Sequence, residues 1–155
     1  MKNNIFLLVL AACLLASCAR QAEIPAESTP VNEAADIYPD YRDIVVPPNI
    51  APLNFMVKSE GDEYVAAVTD GKRTVTAGAA ADGKLAFDST EWRQLLDEAK
   101  GKELAVTVYA KRGADWVQFP KYGIGVAEEP IDPYLSYRLI EPSYELYRQL
   151  GIYQR

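Results

Sequence analysis

Six or seven short runs of strand character, turn signals between them and one amphipathic helix predict a mainly β fold. The architecture expected from that pattern is an immunoglobulin-like antiparallel β-sandwich with one short inserted helix and a C-terminal helical tail. The chain has 155 residues, 49% hydrophobic and 25% charged, which suits one soluble domain and excludes collagenous, disulfide-rich or wholly disordered proteins.

Pro47-Pro48-Asn49-Ile50-Ala51-Pro52 forces an extended approach to the body, because each proline fixes its own φ and biases its predecessor toward β or polyproline geometry. Leu53 to Lys58 then alternates, with Phe55 and Val57 on one face. Tyr64 to Thr69 follows, and Asp70-Gly71 separates it from Arg73 to Ala77, a hairpin signal because the turn needs positive φ. Asp82-Gly83 precedes the run Lys84 to Phe87. A helix opens at Asp88 or Ser89, with Glu91 in its first turn. Trp92, Leu95, Leu96 and Ala99 fall on one stripe of it, and Gly101 ends it. The clearest strand, Glu103 to Lys111, alternates throughout. Gly113-Ala114-Asp115 turns it into Trp116 to Phe119, where Trp116 beside Phe119 is expected to seal the sandwich, and Tyr122 to Ala127 continues after Pro120.

The flanks read differently. Lys2 and the apolar run Ile5 to Leu15 form a targeting segment, since at about 1.5 Å per residue the run reaches only about half of a ~30 Å hydrocarbon core. Leu15-Ala16-Ser17-Cys18 resembles the lipobox of bacterial lipoproteins, which implies removal of residues 1–17 and acylation of Cys18. The lipid bilayer is then a partner through that cysteine, and two or three acyl chains make a stable anchor at about 0.8 kcal/mol per buried methylene. Cys13 leaves with the signal, so the mature chain keeps no thiol for a disulfide, a metal or a nucleophile. Ala19, where an Asp is the familiar inner-membrane retention signal, favours the outer membrane.

Residues 18–43 carry three prolines and six acids against two arginines, the composition of a mostly disordered tether reaching up to roughly 80 Å from the membrane. Its end, Tyr38 to Tyr41, and the following Ile44 to Val46 are expected to dock on the folded part. The sandwich is expected over residues 44–129. Residues 130–155 form the tail, where Pro133 to Ile140 suggests one or two helical turns and Pro142 to Gly151 a second helix. Tyr134, Tyr137, Leu139, Tyr144, Tyr147, Leu150 and Tyr153 spread over more than one helix face, which suits packing against a following domain or a partner.

Pro47 to Phe55, the Trp92/Leu95/Leu96 helix, Trp116, Ile131 to Pro142 and Gly151 to Arg155 resemble the N-terminal region of large TolB-like β-propeller lipoproteins. In that family a lipid-anchored β-rich module precedes a Cys-x-x-Cys-His segment, suggestive of c-type haem attachment, and then propeller repeats. The present sequence stops at Arg155 before either, so the resemblance implies the N-terminal part of a larger propeller protein, with a downstream propeller as the partner of residues 130–155.

Candidate chemistry is sparse. The absence of His removes His-based acid–base catalysis and His/Cys zinc sites, and Ser89 and Ser136 lack an activating base. A net charge of −6 argues against nucleic acid as a partner. Asp62/Glu63 and Glu128/Glu129 are sequence neighbours, expected on solvated rims rather than as catalytic pairs. Gly123-Ile124-Gly125 lacks the third glycine of a dinucleotide site, and a calcium site from Asp62, Glu63 and Asp70 lacks EF-hand spacing. The expectation is a non-enzymatic interaction or scaffold module without cofactor or metal, lipid-anchored in the cell envelope. The alternative is a carbohydrate- or substrate-binding module using Tyr109, Trp116 and Tyr122 as a stacking platform.

Overall fold

The computed structural model describes residues 22–134, 136–139 and 151–154. In chain order its strands are β1 (Thr29–Pro30), β2 (Ile37–Tyr38), β3 (Ile44–Val46), β4 (Phe55–Val57), β5 (Glu63–Thr69), β6 (Thr74–Ala79) and β7 (Lys84–Leu85). Helix α1 (Ser89–Glu98) follows, then β8 (Glu103–Arg112), β9 (Asp115–Gln118), β10 (Tyr122–Val126), β11 (Ser136–Leu139) and β12 (Gly151–Gln154).

β8 is the spine of the larger sheet. One of its edges pairs antiparallel with β5, which in turn pairs with β6. The other edge carries β9 toward the C-terminal end of β8 and β10 toward its N-terminal end. The register slips by one residue between these two pairings, across Phe119 to Lys121. Pro120 has no N–H to give a ladder, so the chain bulges there instead of running on as one strand. β3 extends β10 and β1 extends β9, both parallel, so the sheet is mixed rather than wholly antiparallel. The smaller sheet has the order β2-β4-β7.

The two layers share one core. Ile37, Phe55, Val57 and Leu85 of the smaller sheet meet Ala66, Val68, Val106 and Val108 of the larger one, with Trp92, Leu95 and Leu96 of α1 and its C-cap Ala99 buried among them. Every residue of the expected apolar stripe of α1 is thus in the core. The N-cap is Asp88, whose carboxylate accepts from the Thr90 and Glu91 amides at 2.8 and 3.0 Å. The β5–β6 hairpin turns as its sequence requires. Gly71 takes φ 89° and Asp70 Oδ1 accepts from the Lys72 and Arg73 amides.

Three expectations need correction. The segment assigned to a disordered tether is folded from residue 22 onward. β1 and β2 lie within it, Ala35 and Ile37 are buried, and Glu33 pairs with Arg112 at 2.7 Å. Composition undervalued it because a few apolar side chains suffice when two sheet edges offer backbone partners. The tail is not helical over 136–139, where β11 pairs antiparallel with β12 and Tyr137 stands opposite Tyr153. Tyrosine and isoleucine favour the extended pleat, and that preference prevails over the helical spacing. The second helix expected from Pro142 lies outside the described residues, except that Gly151, its expected end, begins β12. Finally, Trp116 does not close the sandwich beside Phe119. Phe119 is in the core, whereas Trp116 packs with Val65, Ala67 and Tyr109 on the outer face of the larger sheet.

Candidate functional site

The side-chain period of two divides the larger sheet into an inner face on the core and an outer face. Val65, Ala67 and Tyr109 define the outer face, with Trp116 and Ala22 packed against them. Ala22 sits on β6 at Gly78, where the missing side chain makes the contact possible. A methyl group on Gly78 would lie 2.8 Å from Ala22 Cβ, closer than carbon atoms pack. Beside this seat opens a cavity of about 550 Å³ lined by Ala22, Glu23, Glu63, Val65 and Trp116 among others. Lys111 Nζ reaches Glu63 Oε1 at 2.7 Å and stands 6.0 Å from the centre of the Trp116 ring.

The expected stacking platform is not assembled. Tyr109 and Trp116 share the outer face, but Tyr109 is buried, and that burial pushes its phenol pKa up. Tyr122 pairs with Val106 and packs against the main core, on the other face of the sheet. Its hydroxyl is buried with no hydrogen-bond partner among the described residues, and burial drives its pKa upward against the opposing pull of Arg42. Of these three aromatic side chains, Trp116 is the one that lines the open cavity.

The acid pairs stand apart as well. Glu63 is tied to Lys111, and Asp62 Oδ2 accepts from the Gly113 amide at 3.3 Å. Asp70 lies beyond the far end of β5, about 20 Å away at ~3.3 Å per residue, where its pKa is lowered by the Arg73 and Lys72 amides. The three cannot ligate one calcium ion. Among the described residues no group of three or more His, Cys, Asp or Glu is placed to hold a metal. Gly123 and Gly125 are strand residues of β10, and Glu128 and Glu129 are exposed.

Of the tail residues, Tyr134 is 61% exposed, and Ile131 near it is 54% exposed. Tyr137 and Leu139 lie on β11 and Tyr153 on β12. Tyr144, Tyr147 and Leu150 lie outside the described residues, as does Cys18. β11 and β12 form a two-stranded sheet of their own and join neither layer of the body. Among the described residues, the hydrogen bonds between this tail and the body are made by Asn49, which donates from Nδ2 to the Ile131 carbonyl at 2.9 Å and accepts from the Ile131 amide at 3.0 Å. In the sequence Asn49 stands out only as part of a proline-rich approach. A side-chain amide can imitate a backbone partner, but nothing local in Pro48-Asn49-Ile50 shows that it does.

No helix among the described residues is long and apolar enough to cross a membrane. Comparison with protein-family models, with curated proteins and with solved structures finds no match.

Proposed function

We propose that this chain is a non-enzymatic interaction module of the bacterial cell envelope. Acylated Cys18 anchors it in the outer membrane, and residues 130–155 dock a following propeller domain or a protein partner. The observation that carries the reading is the separate β11–β12 sheet, with Ile131 and Tyr134 exposed at its root. A two-stranded sheet is marginally stable by itself in water, so a further apolar surface is needed to hold it.

Immunoglobulin-like kinship belongs to the same proposal, and strand connectivity supports it. The order β3-β10-β8-β5-β6 over β2-β4-β7 follows a variable-type sandwich, with β5, β6, β8 and β10 in the places of strands C, C′, F and G. Kinship with the N-terminal modules of TolB-like propeller lipoproteins rests on the tail and proline motifs.

The test is deletion of residues 130–155 from the membrane-bound chain. The expected result is a folded body that no longer co-purifies with the partner captured by the full chain from the same envelope extract. Equal capture by both overturns the docking role. A second reading, carbohydrate capture, is supported by Trp116 beside Glu23 and Glu63 at the open cavity. Glycan-array binding by the full chain that is lost in Trp116→Ala would favour it over the first.

A further inference from the structure

We propose that the outer face of the larger sheet, around the seat of Ala22 on Gly78, is the side of the body turned toward the lipid surface, held there by a leash of three residues. This rests on Cys18 being the acylated anchor. Ala22, the first described residue, packs against the Val65/Ala67/Tyr109 cluster and lies over Gly78. Three residues, Ala19, Arg20 and Gln21, separate Ala22 from Cys18, and the four steps from one to the other span at most about 14 Å at no more than ~3.6 Å each. The body is therefore drawn down to the headgroups at the seat instead of floating on a long spacer.

The leash also selects the face. Ala22 lies on the outer side of the larger sheet, whereas α1 buries its stripe in the core on the other side of that sheet, a layer of about 10 Å further from the anchor. The surface near the seat suits an interface. Ile24, two residues beyond it, is 44% exposed, and Trp116 is half-buried at the cavity with Lys111 over its ring. Indole rings and lysine stems favour the boundary between headgroups and water. The outward positions of α1, by contrast, are Arg93, Gln94, Asp97 and Glu98, all exposed and polar.

The acylated chain keeps no free thiol, so one introduced cysteine can be labelled uniquely. Ala80→Cys, exposed at the rim of the cavity, and Gln94→Cys, exposed on α1, each receive a fluorophore. The lipidated full chains are reconstituted in vesicles of phosphatidylethanolamine and phosphatidylglycerol carrying a headgroup quencher. The expected result is quenching several-fold stronger at position 80 than at position 94. Equal or reversed quenching in an anchored chain overturns the short-leash geometry while leaving the anchor intact. Fractionation of Cys18→Ser is read beside it. Release into the soluble fraction supports the anchor, and retention in the membrane fraction sinks the anchor and this inference together.

Discussion

Residues 22–46 and 130–154 both flank the body, and both mix prolines, acids and tyrosines with short strands, yet they are held in different ways. The N-terminal flank gives β1 to the edge of β9 and β3 to the edge of β10, and it adds β2 to the smaller sheet. It also buries Ala35, Ile37 and Val46 in the core. The C-terminal flank pairs with itself. Among the described residues, the hydrogen bonds tying it to the body are the two between Asn49 and Ile131. Flanks of similar composition thus differ according to the backbone edges within reach. The N-terminal flank completes sheets that are already built, and the C-terminal one, past the last body strand, pairs into a small sheet of its own.

This contrast can be broken first at Ile37. Ile37→Ala opens a cavity between the layers and should cost about 2–5 kcal/mol in chemical denaturation, as for other buried aliphatic truncations. A cost near zero would return this segment to the status of a spacer. Gly78→Val comes next. Its side chain collides with Ala22, and the expected loss is about 1–3 kcal/mol, with raised proteolysis before residue 29. Unchanged protection there would mean that Ala22 is not seated.

Asn49→Ala probes the other flank. Hydrogen exchange at the Ile131 amide should rise by an order of magnitude, about 1.4 kcal/mol of local opening, while β8 amides keep their protection. Loss of protection in β8 would show the tail to be part of the core. The smallest effect is the acid response of the N-terminal flank. Arg42 holds the Asp40 carboxylate below its ordinary value of 3.8, with the side-chain hydrogen bond the leading cause. Just below pH 3.8 the unfolded chain takes up a proton that the folded carboxylate resists, so stability falls as the pH falls through that window. Asp40→Asn should flatten the slope there, and an unchanged acid-unfolding curve would remove Asp40 from the account.

The body was readable because its signals are local. Asp88, the Trp92/Leu95/Leu96/Ala99 stripe, Asp70-Gly71 and the alternation of Glu103 to Lys111 each report their own geometry. The pairing of the flanks is not legible in the same way, because it depends on distant edges. Nothing in Thr29-Pro30 announces a parallel partner at Val117-Gln118. Nor does Ser136 to Leu139 reveal that Gly151 to Gln154 will lie antiparallel beside it. The site suffered from the same limit. Trp116 and Tyr109 lie on one face because β8 and β9 pair as they do, whereas the bulge at Pro120 carries Tyr122 to the other, and a one-residue slip in register is invisible to composition.

The most direct measurement is the thermal unfolding of the chain without residues 130–155, followed by circular dichroism beside the full-length protein. A body completed by its N-terminal flank alone should melt cooperatively, with a native β spectrum and a midpoint close to that of the full chain. An unfolded spectrum, or a midpoint lowered by ten degrees or so, the equivalent of roughly 2–3 kcal/mol for a domain of this size, would make the tail a structural part of the body and contradict its role as a docking segment.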